Sequence, residues 1–270
     1  YDANRQVSVL YGGVHPDGQM LGDTWEWDGV GWLQRTPPHS PGPTTQHEMV
    51  YDTVRKSILL FGGYGTSPRP FNNSDVWSYD GNDWTLVTTS PSGPPPSVSL
   101  HGETAYDSAR GKMLLLYQGT QGTNRNPTNE TWEFDSATAT WSLVSSGPGP
   151  ENFLSPLAFD SSRGFTVGQY HWWANALSDA KTWTSIGQGW SLAGGSSTPP
   201  RYYSAMAYDD VRRRTTIYSC CRGQGPGSYH TDTHAFDGSQ WSSVLPDITT
   251  SQLDSVIPGG LTFDTRRRAM

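Results

Sequence analysis

An all-β fold built from repeated units of four short strands is what this sequence predicts, on three observations. The composition is that of sheet and turn: 12% of the 270 residues are aromatic, with 12 Trp and 13 Tyr, and 30 Gly and 20 Pro interrupt the chain. Rings suit the pleated, half-buried surface of a strand, while Gly and Pro suit turns. An aromatic residue followed by Asp, with Arg three positions after the Asp, recurs at Tyr1-Asp2/Arg5, Tyr51-Asp52/Arg55, Tyr106-Asp107/Arg110, Phe159-Asp160/Arg163, Tyr208-Asp209/Arg212 and Phe263-Asp264/Arg267. The six Asp residues are spaced by 50, 55, 53, 49 and 55 positions. Between them an apolar run and a Trp-containing segment keep their own offsets. A period near 50 with four short β signals per unit is that of a propeller blade.

Each element of the repeat has a physical reason. Asp at the start of a turn accepts hydrogen bonds from backbone N–H groups two residues on, so the aromatic-Asp-x-x-Arg unit reads as the tight connection between strands one and two, with an Asp–Arg pair. The runs VSVLYGG at 7–13, SILLFGG at 57–63, KMLLLYQG at 112–119 and RTTIYSCC at 214–221 read as strand two. Their terminal glycines permit backbone angles or close approaches that a Cβ forbids. After a variable loop comes the third segment: Thr24-Trp25-Glu26-Trp27-Asp28-Gly29 with Trp32, then Val76-Trp77-Ser78-Tyr79-Asp80-Gly81 with Trp84. Further copies are Thr131-Trp132-Glu133-Phe134-Asp135 with Trp141, Thr182-Trp183 with Trp190, and Thr233-His234-Ala235-Phe236-Asp237-Gly238 with Trp241. These large rigid rings are expected to fill the wedge between neighbouring blades.

The YDxxR turn, the Gly62-Gly63 type of doublet and the TWEWDG…W segment resemble those of the bacterial kelch-repeat family, and the resemblance covers nearly the whole chain. The fourth repeat departs most, with Val167-Gly168-Gln169-Tyr170 in place of the doublet and Ser185-Ile186 where other repeats carry aromatic-Asp. The chain begins at the turn after a strand one, and residues 255–264 supply a strand one with no repeat after it. Joining the two completes one mixed blade. The expectation is a kelch-type propeller of five four-stranded blades in a single domain, approximately 1–40 with 254–270, 41–95, 96–150, 151–198 and 199–253. The alternative is six blades, one of them outside this chain. Closure at five is preferred because an open array exposes an edge strand.

The balance of 18 Lys plus Arg against 25 Asp plus Glu gives a net charge of -7, which disfavours a nucleic-acid or anionic-membrane partner. No window approaches the roughly 18 consecutive apolar residues of a membrane span. With no basic n-region or apolar h-region at its start, the chain reads as a processed or excised soluble segment, secreted or at the cell surface.

Residues that repeat hold the scaffold, so function is sought among those that break the repeat. The kelch resemblance implies that the strand two–three loops and the connections between blades lie on one face and form the ligand site. Tyr64, Arg69, Phe71, Gln121, Arg125, His171, Trp172, Trp173, Arg222, Tyr229 and His230 fall in such loops. Rings and guanidinium groups suit stacking on sugars, extended peptides or planar ligands, with Arg fixing a carboxylate. Cys220 and Cys221 stand where other repeats carry the Gly doublet or the residue after it; they read either as a strained vicinal disulfide or as two buried thiols. They have no second pair and no His or Glu cluster beside them, so no metal centre and no cofactor is expected.

Four residues before the turn Asp, the repeats carry Glu48, Glu103, Pro156, Ala205 and Gly260. Two carboxylates thus occupy equivalent places on adjacent innermost strands. His101 shares the strand parity of Glu103, and His47 lies beside Glu48. Such a pair holds a structural cation in a central channel, or separates its pKa values for acid and base work with Glu48, Glu103 and His101 as the groups. Sequons at Asn72 and Asn129 are candidate glycosylation sites. The sequence favours a binding module whose loop face recognises a glycan, peptide or partner protein. The alternatives are a lyase, isomerase or glycoside-active enzyme at the channel mouth, or a structural propeller of an extracellular assembly. The oligomeric state is not encoded in these features.

Overall fold

The protein, in a computed structural model, is described over residues 1–65, 75–89, 103–119, 128–147, 149, 156–170, 181–193, 202–220, 229–250, 262 and 263. It is all-β, with the five antiparallel blades of a β-propeller following one another along the chain. The first sheet is β1 (Ser8–Val14), β2 (Met20–Trp27) and β3 (Trp32–Arg35). Its predicted completing strand at 255–264 lies outside the described residues except for Thr262 and Phe263, of which Phe263 is buried. The second sheet is β4 (Thr44–Asp52), β5 (Ser57–Gly65), β6 (Asp75–Tyr79) and β7 (Trp84–Thr89); the third is β8 (Glu103–Asp107), β9 (Lys112–Gly119), β10 (Thr128–Asp135) and β11 (Thr140–Ser146). The fourth is β12 (Leu157–Asp160), β13 (Phe165–Tyr170), β14 (Lys181–Ser185) and β15 (Trp190–Leu192), and the fifth β16 (Tyr202–Asp209), β17 (Arg214–Cys220), β18 (Tyr229–Phe236) and β19 (Trp241–Thr250). The chain forms two compact units, residues 1–145 with the first three sheets and 146–270 with the last two. No helix of the described residues is long and apolar enough to cross a membrane.

The repeated Asp forms the predicted turn. Asp2 Oδ1 accepts from the backbone N–H of Asn4 at 3.0 Å and of Arg5 at 2.9 Å, while Arg5 Nε donates to Oδ2 at 2.7 Å. The same pair of backbone bonds recurs at Asp52, Asp107, Asp160 and Asp209. The residue after each Arg takes a left-handed backbone: Gln6, Lys56, Gly111, Gly164 and Arg213 have φ of 60°, 55°, 67°, 74° and 56°. Only two of these five are glycine, so the other three hold a conformation that costs an L-residue about 1–2 kcal/mol.

A second Asp turn joins strands three and four. Asp28, Asp80, Asp135 and Asp237 each accept from the backbone N–H groups two and three residues on. In the divergent fourth repeat Ile186 stands in the Asp position, and Ser185, one residue earlier, supplies a single bond instead, its Oγ accepting from Gly187 N–H at 3.2 Å. The departure from the repeat therefore preserves the turn with a weaker acceptor.

Within the first unit Trp84 and Trp141 pack between sheets as expected, whereas Trp32 is exposed. Trp84 is buried, its ring 4.9 Å from Tyr11 and 5.0 Å from Tyr79, and its indole N–H donates to Thr24 Oγ1 of the preceding sheet at 3.0 Å. Trp141 packs 4.8 Å from Phe61 and 5.3 Å from Phe134 in a cluster with Leu59, Val76, Met113 and Leu115. Its indole nitrogen is buried without a partner, because Val76 stands where the first sheet has Thr24. Arg5 ties its turn to Glu26 and lies over the Tyr79 ring at 5.2 Å. A Cβ on Gly81 would collide with that guanidinium, so the Asp-Gly dipeptide serves the packing of sheets as well as the turn. In the second unit Trp241 donates to Thr182 Oγ1 at 2.7 Å and packs with Phe236, Ile217, Met206, Val167 and Ala158.

Candidate functional site

The strands that position the carboxylates are β4 and β8, which are neighbours although they belong to different sheets. Each ends on a turn Asp, and counting back four residues brings Glu48 and Glu103 to corresponding levels. Glu48 lies opposite Phe61 of β5, and Glu103 opposite Leu116 of β9. Thr104, next to Glu103, reaches across to the second sheet: its hydroxyl donates to Glu48 Oε2 at 3.1 Å. Both residues are partly buried. Protein encloses them nonetheless, and this burial pushes Glu48 up to about 7 against the opposing pull of the Thr104 hydroxyl and amide. Glu103 is held well above the usual carboxylate range, first by burial and then by the charge of Glu48.

His47, one residue earlier, projects to the other side of β4, as alternation along a strand requires. Its ring meets Tyr11 edge-on at 5.7 Å, and Tyr11 in turn donates its hydroxyl to the Gly42 carbonyl at 2.9 Å. Burial holds the imidazole down to about 4, so it is neutral over most of the pH range. The glycine doublets make room here. Gly12 and Gly63 have φ of +60° and +98°, and a Cβ on either would collide with the backbone or side chains of Thr44, Thr45 and His47.

Tyr64, in the last turn of pairing of β5, is 51% exposed, in contrast to the buried Tyr11 and Tyr79. Its carbonyl accepts from Thr44 Oγ1 at 3.2 Å, so the exposed ring stands on a fixed strand end. Of the other loop-face candidates, Arg69, Phe71, Gln121, Arg125, His171, Trp172, Trp173 and Arg222 lie outside the described residues, as do His101, Asn72 and Cys221. Tyr229 and His230 belong to β18 rather than to the preceding loop, paired with Thr250 and Thr249. The long outer strand β19 extends the ladder past the region where sequence patterning placed a loop. Asn129 likewise lies within β10, opposite Gln118, and Cys220 ends β17 opposite Tyr202. Among the described residues no group of three or more His, Cys, Asp or Glu is placed to hold a metal ion.

Two features were missed by reading the sequence. Thr104 carries no motif; only its place beside Glu103 on a strand facing β4 marks it. The other carboxylates that recur in the third segment, Glu26 and Glu133, are bound by Arg5 and Arg110 and belong to the scaffold.

No family model and no curated protein matches the chain. Among solved structures it is similar to one described as the structure of YjhT, with a TM-score of 0.58 and 14% identity over 87% of this chain and 80% of that one. It also aligns with a GH74 enzyme of Niastella koreensis at a TM-score of 0.45 and 14% identity, over 86% of this chain and 37% of the other. The first likeness is one of fold.

Proposed function

We propose that this propeller is a binding module of kelch type, secreted or at the cell surface, whose loop face recognises a glycan, peptide or partner protein without changing it. The observation that carries this reading is Tyr64, a half-exposed aromatic residue on a braced strand end, whereas repeated aromatics such as Tyr11, Tyr79, Trp84 and Phe134 are buried in the core. A ring held this way offers a stacking platform with little entropy to lose on binding. Arg69, Phe71 and Arg125 are proposed as further ligand-binding residues from the sequence alone. Binding of the purified chain to glycan and peptide arrays tests the reading. Tyr64→Ala is expected to weaken a captured ligand by about tenfold, corresponding to about 1.4 kcal/mol; unchanged affinity for every captured ligand would refute it.

The paired carboxyls favour a second reading, an enzyme of lyase, isomerase or glycoside-active type. Glu103, its carboxyl held well above the usual range, would serve as acid and Glu48 as base, with His101 assisting. Glu103→Gln separates the two readings: an enzyme loses turnover and keeps its ligand, whereas a binding module shows no turnover in either form.

A further inference from the structure

We infer that the place six residues before the turn Asp is a recognition level of the repeat, and that in the second sheet Gln46 occupies it as a contact for the hydroxyls of an uncharged glycan; this deepens the loop-face reading and rests on it. The backbone singles out Gln46. Among the described residues five that are not glycine have a left-handed φ, and four of them, Gln6, Lys56, Ala139 and Arg213, sit at Asp turns. Gln46, at φ 56°, lies instead within β4. Pairing with β5 passes from Thr45–Tyr64 to His47–Gly62 and omits Gln46, which stands level with Gly63.

The packing fixes this bend. Gly63 has φ +98°, and a Cβ there would come within 2.7 Å of Thr44 Oγ1 and 2.9 Å of the His47 Cβ. Thr44 and His47 are three residues apart yet meet the same point, so the alternation of a regular strand is broken between them. From the first sheet Gly12 leaves room in the same way for the Thr44 carbonyl. β4 thus bends into space that two glycines keep open, and the residue at the bend is exposed. A bend alone needs no side chain there, since glycine adopts a left-handed φ freely and an exposed glutamine adds nothing to the core. Residues held in such conformations by their surroundings cluster at ligand-binding sites.

The same level is distinctive elsewhere. The repeats carry Gln46, His101, Leu154, Tyr203 and Pro258 there, five different residues, whereas the turn Asp that follows never changes. In β16 the ladder is interrupted at this place too, between Tyr202 and Ser204. Two sheets of separate units therefore leave regular pairing at one level.

The chemistry around Gln46 selects the ligand. Its strand neighbour His47 is kept neutral by burial, Glu48 is engaged by Thr104 on the side of β8, and the exposed residue at the same strand end is Tyr64. A primary amide offers donors and an acceptor together, as a sugar hydroxyl requires. A peptide added as a further strand would need a regular edge, and the free edge of β4 is interrupted at Gln46.

Binding of the purified chain to an array of neutral oligosaccharides, sulfated and uronate-bearing oligosaccharides and peptides tests the inference, for the parent, Gln46→Gly, Gln46→Ala and Tyr64→Ala. The parent is expected to capture neutral oligosaccharides. Gln46→Gly should weaken the tightest of them at least tenfold while its thermal midpoint rises, because the bend remains and the strained residue is gone. A residue that merely shaped the strand would not lose affinity as stability grows. Gln46→Ala should lose the same affinity without that rise. Affinity within twofold of the parent in both Gln46 variants overturns the inference; if Tyr64→Ala weakens the same ligand, the loop-face reading survives it, and if Tyr64→Ala is also silent, both fall. Capture confined to charged oligosaccharides or peptides overturns this inference alone, and no capture of any kind overturns both.

Discussion

In the first unit β4 lies beside β8, and in the second β12 lies beside β16, yet the two contacts are built from opposite chemistry. Four residues before the turn Asp, the first unit places Glu48 and Glu103, and the second places Pro156 and Ala205, both buried. One position later the first unit has Thr104 donating to Glu48, while the second has Leu157 and Met206 in its core. The turns that end these strands are alike in both units, down to the backbone bonds of the Asp. Backbone pairing is thus set by the turn, and the inward position above it is free to carry either a titrating pair or a small apolar contact.

Moving the pair breaks the comparison most forcefully. Introducing Pro156→Glu with Ala205→Glu is expected to cost about 3–5 kcal/mol at pH 8, since the second unit offers no Thr in place of Met206. Much of that loss should return at pH 5, where the new carboxyls can be protonated; denaturant titration followed by Trp fluorescence measures both. Next in size is the indole bond between sheets. Thr24→Val should cost about 1–2 kcal/mol by leaving the Trp84 N–H buried without an acceptor, whereas Val76→Thr, which offers one to Trp141, should cost less than that or stabilise. Thr104→Val should cost about 1 kcal/mol at pH 8 and shift the Glu48 titration upward, because a donor to the charged form is gone. The smallest effect distinguishes repeats by one backbone angle. Lys56→Gly and Arg213→Gly should each stabilise by about 0.5–1 kcal/mol, as Gly111 and Gly164 already occupy the equivalent place, and thermal midpoints would register it.

Much of the scaffold was legible because its residues act over short distances and repeat. Asp to the backbone two and three residues on, Arg to Asp, and Trp into the wedge are all signalled by fixed offsets. Ser185 shows where that legibility ends, since a hydroxyl one position before the usual Asp still accepts within the turn, while Ile186 in the Asp position erases the motif. The left-handed residue after each Arg was hidden for the same reason: Gln6, Lys56 and Arg213 adopt it without the glycine that would announce it. Glu48 and Glu103 were found by aligning strands, but Thr104 was not, because its partner is 56 residues away and belongs to another sheet. Tyr229 and His230 were assigned to a loop since the polar segment around them lacks alternation, and pairing with β19 decided otherwise.

The paired Asp turns also bear on how such a chain assembles. Both close their hairpins through contacts spanning only a few residues, and hairpins of this kind form in about 1–10 μs. In the second sheet the step from β5 to β6 instead requires ends separated by residues 66–74 to meet, and closure entropy rises slowly with such a length. Each blade is therefore expected to grow as two quick hairpins followed by one slower union. Residues inserted between those hairpins would delay the union slightly while leaving both hairpins to form at their own pace, so the loop that can carry recognition is also the one where the chain best tolerates being rewritten.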